Sequence, residues 1–181
     1  MKIIIASLII LAWSGLHAQE VVIPESEFTG QVLYVASADE GVDLEKQRAG
    51  GEQTRDKSSQ LVGIGTSSIK NFVSGRTSYV RVNGNEPIRF IVRVENNGRD
   101  PREIINIFQL DREENRRSIA VTKSGTFSGS TSAIQFLEFK GKKYGESSYL
   151  VELSGEVREG EYALTLDGTR DMFNLFGVDK Q

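Results

Sequence analysis

The sequence predicts an all-β protein, an antiparallel β-sandwich or jelly-roll-like barrel with about nine or ten short strands and little helix. Apolar and polar residues alternate with a period of two from Gln31 onward, which is typical of strands that bury one face. Turn residues such as Asn83-Gly84, Asn97-Gly98 and Asp167-Gly168 separate the alternating segments. No long amphipathic helix interrupts the pattern, which favours two packed sheets.

The candidate strands follow one another at short intervals. In chain order they are "QVLYVAS", "IKNFVS", "SYVRVNG", "IRFIVRV", "IINIFQL", "RSIAVT", "AIQFLEFKG", "YLVEL", "YALTL" and "FNLFGV". Three of them assign side chains to the buried face most clearly, namely Ile88, Phe90, Val92 and Val94, then Tyr149, Val151 and Leu153, then Tyr162, Leu164 and Leu166. For "DLEKQRA", Asp43 to Ala49, one helical turn and an edge strand both remain open.

The first residues have the layout of a secretory signal peptide. Lys2 gives a positive start, Ile3 to Trp13 form an apolar run, and a short stretch ending at Ala18 precedes the expected cleavage site. We therefore expect residues 1–18 to be removed and the protein to be exported. The apolar run is too short to span a bilayer, and no later segment approaches the length of a membrane span.

Residues 19–181 have the length of a single β-sandwich domain. The chain has no Cys, so disulfides cannot stabilise it and the apolar core must suffice. The polar segment near 48–60 is predicted to be a mobile loop. The formal net charge of −3 does not suggest nucleic acid as a partner, because phosphate binding requires a basic excess.

Most familiar catalytic sites are excluded if the leader is removed. The chain has one His and one Trp, His17 and Trp13, and both lie in the leader. Ser-His-Asp and Cys-His systems and the usual zinc or copper sites therefore lack their side chains. We predict no enzyme activity, no catalytic residues, no metal and no cofactor. What remains is carboxylate chemistry, so a hydrolase acting on envelope or extracellular glycan is the alternative.

The segment "LDREENRRS" has the highest density of charge. Its carboxylates, Asp111, Glu113 and Glu114, lie among the guanidinium groups of Arg112, Arg116 and Arg117. Alternating charges around a turn are typical of a solvated surface, and this is the interpretation that we favour.

The arginines of two neighbouring candidate strands suggest a binding surface. A hairpin around Asn83 to Pro87 would place Arg81 opposite Arg89, with Arg93 two positions beyond on the same face. We call this set the arginine ladder. Like charges that face each other require a negative group, which could be Glu138 or Glu152 of a neighbouring strand, or the anionic groups of a partner. A second basic segment, Lys140 to Tyr144, fits a solvated hairpin end that discourages edge pairing.

Four segments together resemble a known family. They are "YVASADEGVDLEKQ", "VSGRTSYVRV", "FIVRVENNGRDPREIINIFQLDREENRRSI" and "GEYALTLDGTRDMFNLFGVD", which cover most of Tyr34 to Asp179. They are similar to a loosely defined family of secreted bacterial β-sandwich domains of unknown function. The junction after Ala18 is similar to signal-peptide junctions of Bacteroidetes. The resemblance implies the fold and export to the periplasm or the cell surface, and it transfers no catalytic residue.

The expected function follows from export, strand content and the missing catalytic side chains. We expect a non-catalytic protein that binds or scaffolds a cell-envelope partner. A protein partner is slightly favoured over an acidic glycan, because sugar faces commonly stack on aromatic rings and no Trp remains after cleavage. The candidate partner-binding residues are Arg81, Arg89 and Arg93. The oligomeric state is left open.

Overall fold

The structure is a computed structural model that describes residues 20–55, 66–125, 129–132, 134–169 and 171–180. These residues form two β-sheets and one short helix, which confirms the predicted all-β class with little helix. The strands are β1 (Val32–Val35), β2 (Gly41–Asp43), β3 (Glu45–Arg48), β4 (Gly50–Arg55), β5 (Thr66–Ser74), β6 (Arg81–Asn83), β7 (Arg89–Arg93), β8 (Ile105–Arg112), β9 (Arg116–Gly125), β10 (Gly129–Ser132), β11 (Phe139–Tyr144), β12 (Ser148–Leu153), β13 (Gly160–Leu166) and β14 (Met172–Asp179). Helix α1 (Pro101–Ile104) precedes β8.

The two sheets differ in size. One has five strands in the order β11-β12-β7-β1-β2. The other has nine, of which seven follow the order β3-β14-β13-β8-β9-β5-β4, while β10 pairs with β9 and β6 with β14. The pairing is antiparallel throughout the described residues, except that β6 runs parallel to β14. The chain therefore passes from one sheet to the other between β6 and β7.

The main core lies between the sheets. Phe90 of the small sheet and Phe176 of the large sheet have their ring centroids 4.8 Å apart, and the Phe176 ring stacks on that of Tyr162. Every side chain that the alternation assigned to the inner faces of β7, β12 and β13 is buried in this core, which confirms the assignment. Burial of a large apolar side chain stabilises the fold by about 1.5–3 kcal/mol.

Two smaller apolar clusters cover the outer faces of the sheets. On the small sheet, Ile23 of the segment 20–26 packs near Leu33, Ile91 and Leu150. This cover explains why Ile91 interrupts the otherwise polar face of β7. On the large sheet, a second cluster consists of Val73, Phe108, Leu110, Ile119, Ala163, Phe173 and Leu175.

The segment between β1 and β5 differs from the prediction in one part. Residues Glu45–Arg48 form an edge strand, which settles the open interpretation of Asp43 to Ala49. The predicted loop near 48–60 is wrong for Gly50–Arg55, since these residues pair with β5. A Cβ at position 50 would lie 2.6 Å from the Phe72 ring, so glycine allows this close pairing. Residues 56–60 lie outside the described part of the chain.

Helix α1 supports an edge of the small sheet. The Asp100 side chain accepts a hydrogen bond from the backbone N–H of Arg102, and Pro101 occupies the first turn, as expected of a capped N-terminus. Pro101 packs on strand β11, where a Cβ at Gly141 would lie 2.6 Å from the proline ring. No helix among the described residues is long and apolar enough to cross a membrane.

Candidate functional site

The hairpin that the arginine ladder requires does not exist. Arg81 lies on β6, which pairs with β14 of the large sheet, whereas Arg89 and Arg93 lie on β7 of the small sheet. The prediction of a shared face is therefore wrong. The physical reason is that Val82 and Ile88 are buried from opposite sides of the same core, so the connection between them crosses between the sheets.

Arg81 takes part in a buried ion network at the end of the large sheet, which we define as Arg81, Arg117, Glu45, Glu161 and Asp179. At its centre, Arg117 of β9 and Glu161 of β13 are both fully buried, with 3.5 Å between Nη1 and Oε2. Arg117 Nη2 lies 3.0 Å from Glu45 Oε1. The same guanidinium donates to the backbone carbonyls of Ser74 at 3.1 Å and Gly75 at 3.0 Å. These acceptors compensate for the loss of water around a buried charge.

Glu161 also binds the guanidinium of Arg81, and Arg112 Nη2 lies 3.6 Å from Glu161 Oε1. Arg81 Nη1 lies 2.6 Å from Glu161 Oε1, and the backbone N–H of Ser78 donates to Glu161 Oε2 at 2.7 Å. The other edge of the Arg81 guanidinium binds Asp179, with 2.9 Å between Nε and Oδ2. Gly177 leaves room for this arrangement, because a Cβ at that position would lie 1.6 Å from Arg81 Nη1. The guanidinium of Arg81 therefore already binds two carboxylates of the same chain, those of Glu161 and Asp179.

The electrostatics of the ion network suit a structural role. The hydrogen bond from Arg81 lowers the pKa of Asp179 below its ordinary value, and the same bond raises the pKa of Arg81. Burial alone would raise the pKa of Glu45, but hydrogen bonds from Ser78 and Arg117 outweigh burial and leave the pKa lowered. The carboxyl groups of Asp179 and Glu45 are therefore ionised at neutral pH and bound to arginine side chains. A general acid, by contrast, must be protonated at the pH at which it acts.

Arg93 fastens the N-terminal segment to the small sheet. Its Nη1 lies 2.8 Å from Glu25 Oε1. The Glu25 carboxylate also accepts the backbone N–H groups of Glu146 at 2.8 Å and Ser147 at 2.9 Å. Burial alone would raise the pKa of Glu25, but the hydrogen bonds to its carboxylate outweigh burial and lower the pKa to about 2. This contact holds segment 20–26 against the turn between β11 and β12.

Arg89 lies in a different environment, a surface pocket of about 550 Å³ on the outer face of the small sheet. We call it the basic pocket, and its lining residues are Glu20, Val21, Arg89, Lys140, Gly141, Lys142, Leu150 and Glu152. Arg89 Nε donates to Glu152 Oε2 at 2.7 Å, which confirms Glu152 as the negative neighbour of this arginine. Lys140 and Lys142 are exposed and form no ion pair with any described residue.

Strand pairing explains why these charges meet. In the register of β11, β12 and β7, Lys140 lies opposite Glu152, which lies opposite Arg89, while Lys142 lies opposite Leu150. Since side chains alternate across a strand, Lys140 and Lys142 share the face that carries Arg89. The pocket therefore holds three cationic side chains and two carboxylates. The sequence indicated Arg89 as a binding residue and Lys140 to Tyr144 as a solvated hairpin end. These five residues instead belong to strand β11, and the sheet order places Lys140 and Lys142 beside Arg89.

Two carboxyl groups also line one pocket elsewhere in the described structure. Glu95 and Asp167 line a pocket of about 240 Å³ at the end of the sandwich, near Arg99. Arg99 Nη1 lies 3.9 Å from Asp167 Oδ2. A glycosidase requires two carboxyl groups that flank its substrate, so this is where the hydrolase alternative can be tested. Among the described residues, no group of Asp, Glu, His or Cys is arranged to hold a metal ion.

The segment "LDREENRRS" is only partly the solvated turn that we predicted. Glu113 lies at the β8–β9 turn, where hydrogen bonds from Ser118 and Arg116 lower its pKa to about 2. Arg117, by contrast, is fully buried, so the prediction is wrong for this residue. The signal that could have identified it is the period of two, which places Arg117 on the same face of β9 as buried Ile119.

In comparisons with known proteins, the chain matches no family model, no curated protein and no solved structure. The resemblance to a secreted bacterial family therefore stays a prediction, as does export.

Proposed function

We propose that this chain is an exported, non-catalytic β-sandwich that binds an acidic partner of the cell envelope through the basic pocket. The observation that carries the proposal is that only one of the three cationic side chains in the pocket has an ion-pair partner among the described residues. Arg89 has Glu152 as a partner at 2.7 Å, whereas Lys140 and Lys142 have no ion pair within the described residues. Two exposed ammonium groups on one face are available to carboxylates from outside the chain.

The shape and charge of the pocket support reversible binding rather than a role in stability. Exposed charges contribute about 0–1 kcal/mol when paired and nothing to the core, so folding does not require Lys140 or Lys142. Leu150 and Val21 add an apolar floor between the charges. A ligand with carboxylates and short apolar groups would therefore complement both the charge and the floor of the pocket.

A protein segment is favoured over an acidic glycan as the ligand. The lining of the basic pocket contains no aromatic side chain. Sugar recognition commonly uses the faces of aromatic rings, whereas recognition of Asp and Glu side chains needs only positive charge and backbone donors.

The test is a titration of residues 19–181 with two defined probes, a glutamate-rich peptide and an oligogalacturonate. The double variant Lys140→Gln/Lys142→Gln removes both unpaired charges. Lys143→Gln is the control, because it removes one positive charge from the opposite face of the same strand, so the loss of affinity is compared per charge removed. We expect the peptide to bind the native chain and the control, and the double variant to bind at least about tenfold more weakly.

Three results would overturn the proposal. The first is that the native chain binds neither probe at low ionic strength. The second is an equal loss of binding free energy per charge removed in the double variant and in the control, which would indicate a general charge effect instead of a site. The third is reproducible turnover of an envelope glycan.

The third result would favour the hydrolase alternative, whose supporting observation is the pair of Glu95 and Asp167 in one pocket. In that case Glu95→Gln and Asp167→Asn should each abolish turnover, while Lys140→Gln/Lys142→Gln should leave it unchanged.

A further inference from the structure

The ligand of the basic pocket can be specified further from the backbone of strand β11. This strand is an edge of the five-stranded sheet, and β12 is its only strand partner among the described residues. Pro101 of α1 contacts β11 at Gly141 in the direction in which a Cβ would project, which is perpendicular to the line of the backbone N–H and C=O groups. The inference rests on the proposed function, since it uses the same pocket, and it concerns how the acidic partner is held.

The alternation of hydrogen bonds along β11 determines which of its backbone groups bond to β12 and which point away from the sheet. Ser154 N–H donates to the carbonyl of Glu138 at 2.9 Å, and these two residues lie opposite each other when the β11–β12 register is extended by one step. Because bonded pairs alternate in an antiparallel ladder, Lys140 and Lys142 direct their backbone groups toward β12. Phe139, Gly141 and Lys143 direct theirs outward, away from the sheet.

We propose that the partner is an extended acidic segment of another protein that adds to β11 as a new edge strand, antiparallel to β11. Its backbone would pair with the outward N–H and C=O groups of Phe139, Gly141 and Lys143. Positions opposite Lys140 and Lys142 are then the non-hydrogen-bonded ones, where facing side chains approach most closely. Carboxylates at alternate positions of the segment therefore meet the two unpaired ammonium groups, and strand addition supplies affinity through the main chain.

Other occupants fit this edge less well. A second copy paired antiparallel about Gly141 would place Lys140 of one copy opposite Lys142 of the other, and like charges directly opposite are destabilising. The five-stranded sheet has a second edge at β2, but this strand has 3 residues, whereas β11 has 6. Lysine on an edge strand is a common protection against self-pairing, and the same charges select an acidic strand.

The experiment compares two peptides of identical composition, one with alternating Glu and Thr and one with the Glu and Thr residues in separate blocks. Strand addition predicts at least about tenfold tighter binding of the alternating peptide, because only that peptide presents its carboxylates on one face. N-methylation of the alternating peptide at its backbone donors should weaken binding by about tenfold. Lys143→Pro should do the same relative to Lys143→Gln, since it removes one outward donor without loss of a bond to β12.

Amide hydrogen exchange gives a second readout on the folded chain. Binding of the alternating peptide should slow exchange at Phe139, Gly141 and Lys143 and leave the amides of Lys140 and Lys142, already bonded to β12, unchanged.

The outcomes separate this inference from the proposed function. If both peptides bind equally well, and both lose affinity in Lys140→Gln/Lys142→Gln, strand addition is overturned while the basic pocket remains a binding site. If neither peptide binds, both proposals fail. A dimer of the native chain that forms through β11, detected by sedimentation and by the same exchange pattern without peptide, would also overturn it.

Discussion

The buried ion network and the basic pocket use the same kinds of charge in opposite ways. In the network, Arg117 is fully buried and its guanidinium binds Glu45 and Glu161. In the basic pocket, Lys140 and Lys142 are exposed and have no partner among the described residues. The difference shows that a cluster of basic residues in the sequence does not by itself indicate a binding surface. What matters is whether the fold supplies carboxylates to the cations.

The largest expected effect comes from the centre of the network. Glu161→Gln should lower the free energy of unfolding by about 3–5 kcal/mol, because it leaves the guanidinium groups of Arg81, Arg112 and Arg117 without their shared carboxylate. Urea unfolding measures this change. The matched control is Glu156→Gln, which removes a largely exposed carboxylate paired with Lys180 and should change stability by less than about 0.5 kcal/mol. Equal effects of the two variants would contradict a structural role for the network.

The next largest effect on stability is expected at Gly177, where the absence of a side chain leaves room for the Arg81 guanidinium. Gly177→Ala should destabilise the fold by about 1–3 kcal/mol, since the new Cβ would displace Arg81 from Glu161. In an Arg81→Met background the same change should cost less, with a coupling energy of about 0.5–3 kcal/mol in a double-mutant cycle. If the stability changes of Gly177→Ala and Arg81→Met were strictly additive, a clash between the new Cβ and the Arg81 guanidinium would be excluded as the cause.

The Glu25 contact predicts a pH dependence of stability. Its folded-state pKa of about 2 lies below the ordinary value of 4.5, so the carboxylate stabilises the fold above pH 4.5 and this stabilisation is lost as the pH falls toward 2. Glu25→Gln should therefore be less stable than the native chain at pH 7, by about 1–3 kcal/mol, and this difference should disappear as the pH falls through about 2. Chemical unfolding across this range measures the difference. A difference that does not change with pH would exclude the ionised Glu25 carboxylate as its source.

The smallest expected effect on stability is in the basic pocket. Lys140→Gln/Lys142→Gln should alter the free energy of unfolding by less than about 0.5 kcal/mol, because exposed unpaired cations contribute little to folding. A thermal melt at two salt concentrations tests this. Marked destabilisation would mean that these lysines have a structural function instead.

Much of the fold could be predicted from the sequence because the period of two directly reports which side chains face the core. It assigned the inner residues of β7, β12 and β13 correctly. It could not report which strands are neighbours, because pairing between β6 and β14, or between β7 and β12, depends on contacts far apart in the chain. That is why Arg81 and Arg89 were placed together when they lie on different sheets.

The site was less predictable for the same reason. The sequence indicated Arg89 as a binding residue and Lys140 to Tyr144 only as a solvated basic segment, but the order β11-β12-β7 places Lys140, Lys142 and Arg89 around one pocket. Glu161, Gly177 and Asp179 lie in the segments "GEYAL" and "FGVD", where their relation to Arg81 has no local signature. Polar edge strands such as β4 were missed, because their residues lack the apolar alternation of core strands.

The most direct test of the contrast between the two charge clusters is the affinity of the alternating Glu-Thr peptide for two variants, each measured at a temperature where it is fully folded. We predict that Lys140→Gln/Lys142→Gln binds at least about tenfold more weakly than the native chain, while Arg81→Met binds the peptide as the native chain does. The reverse result, with affinity lost in Arg81→Met and kept in the lysine variant, would contradict the account.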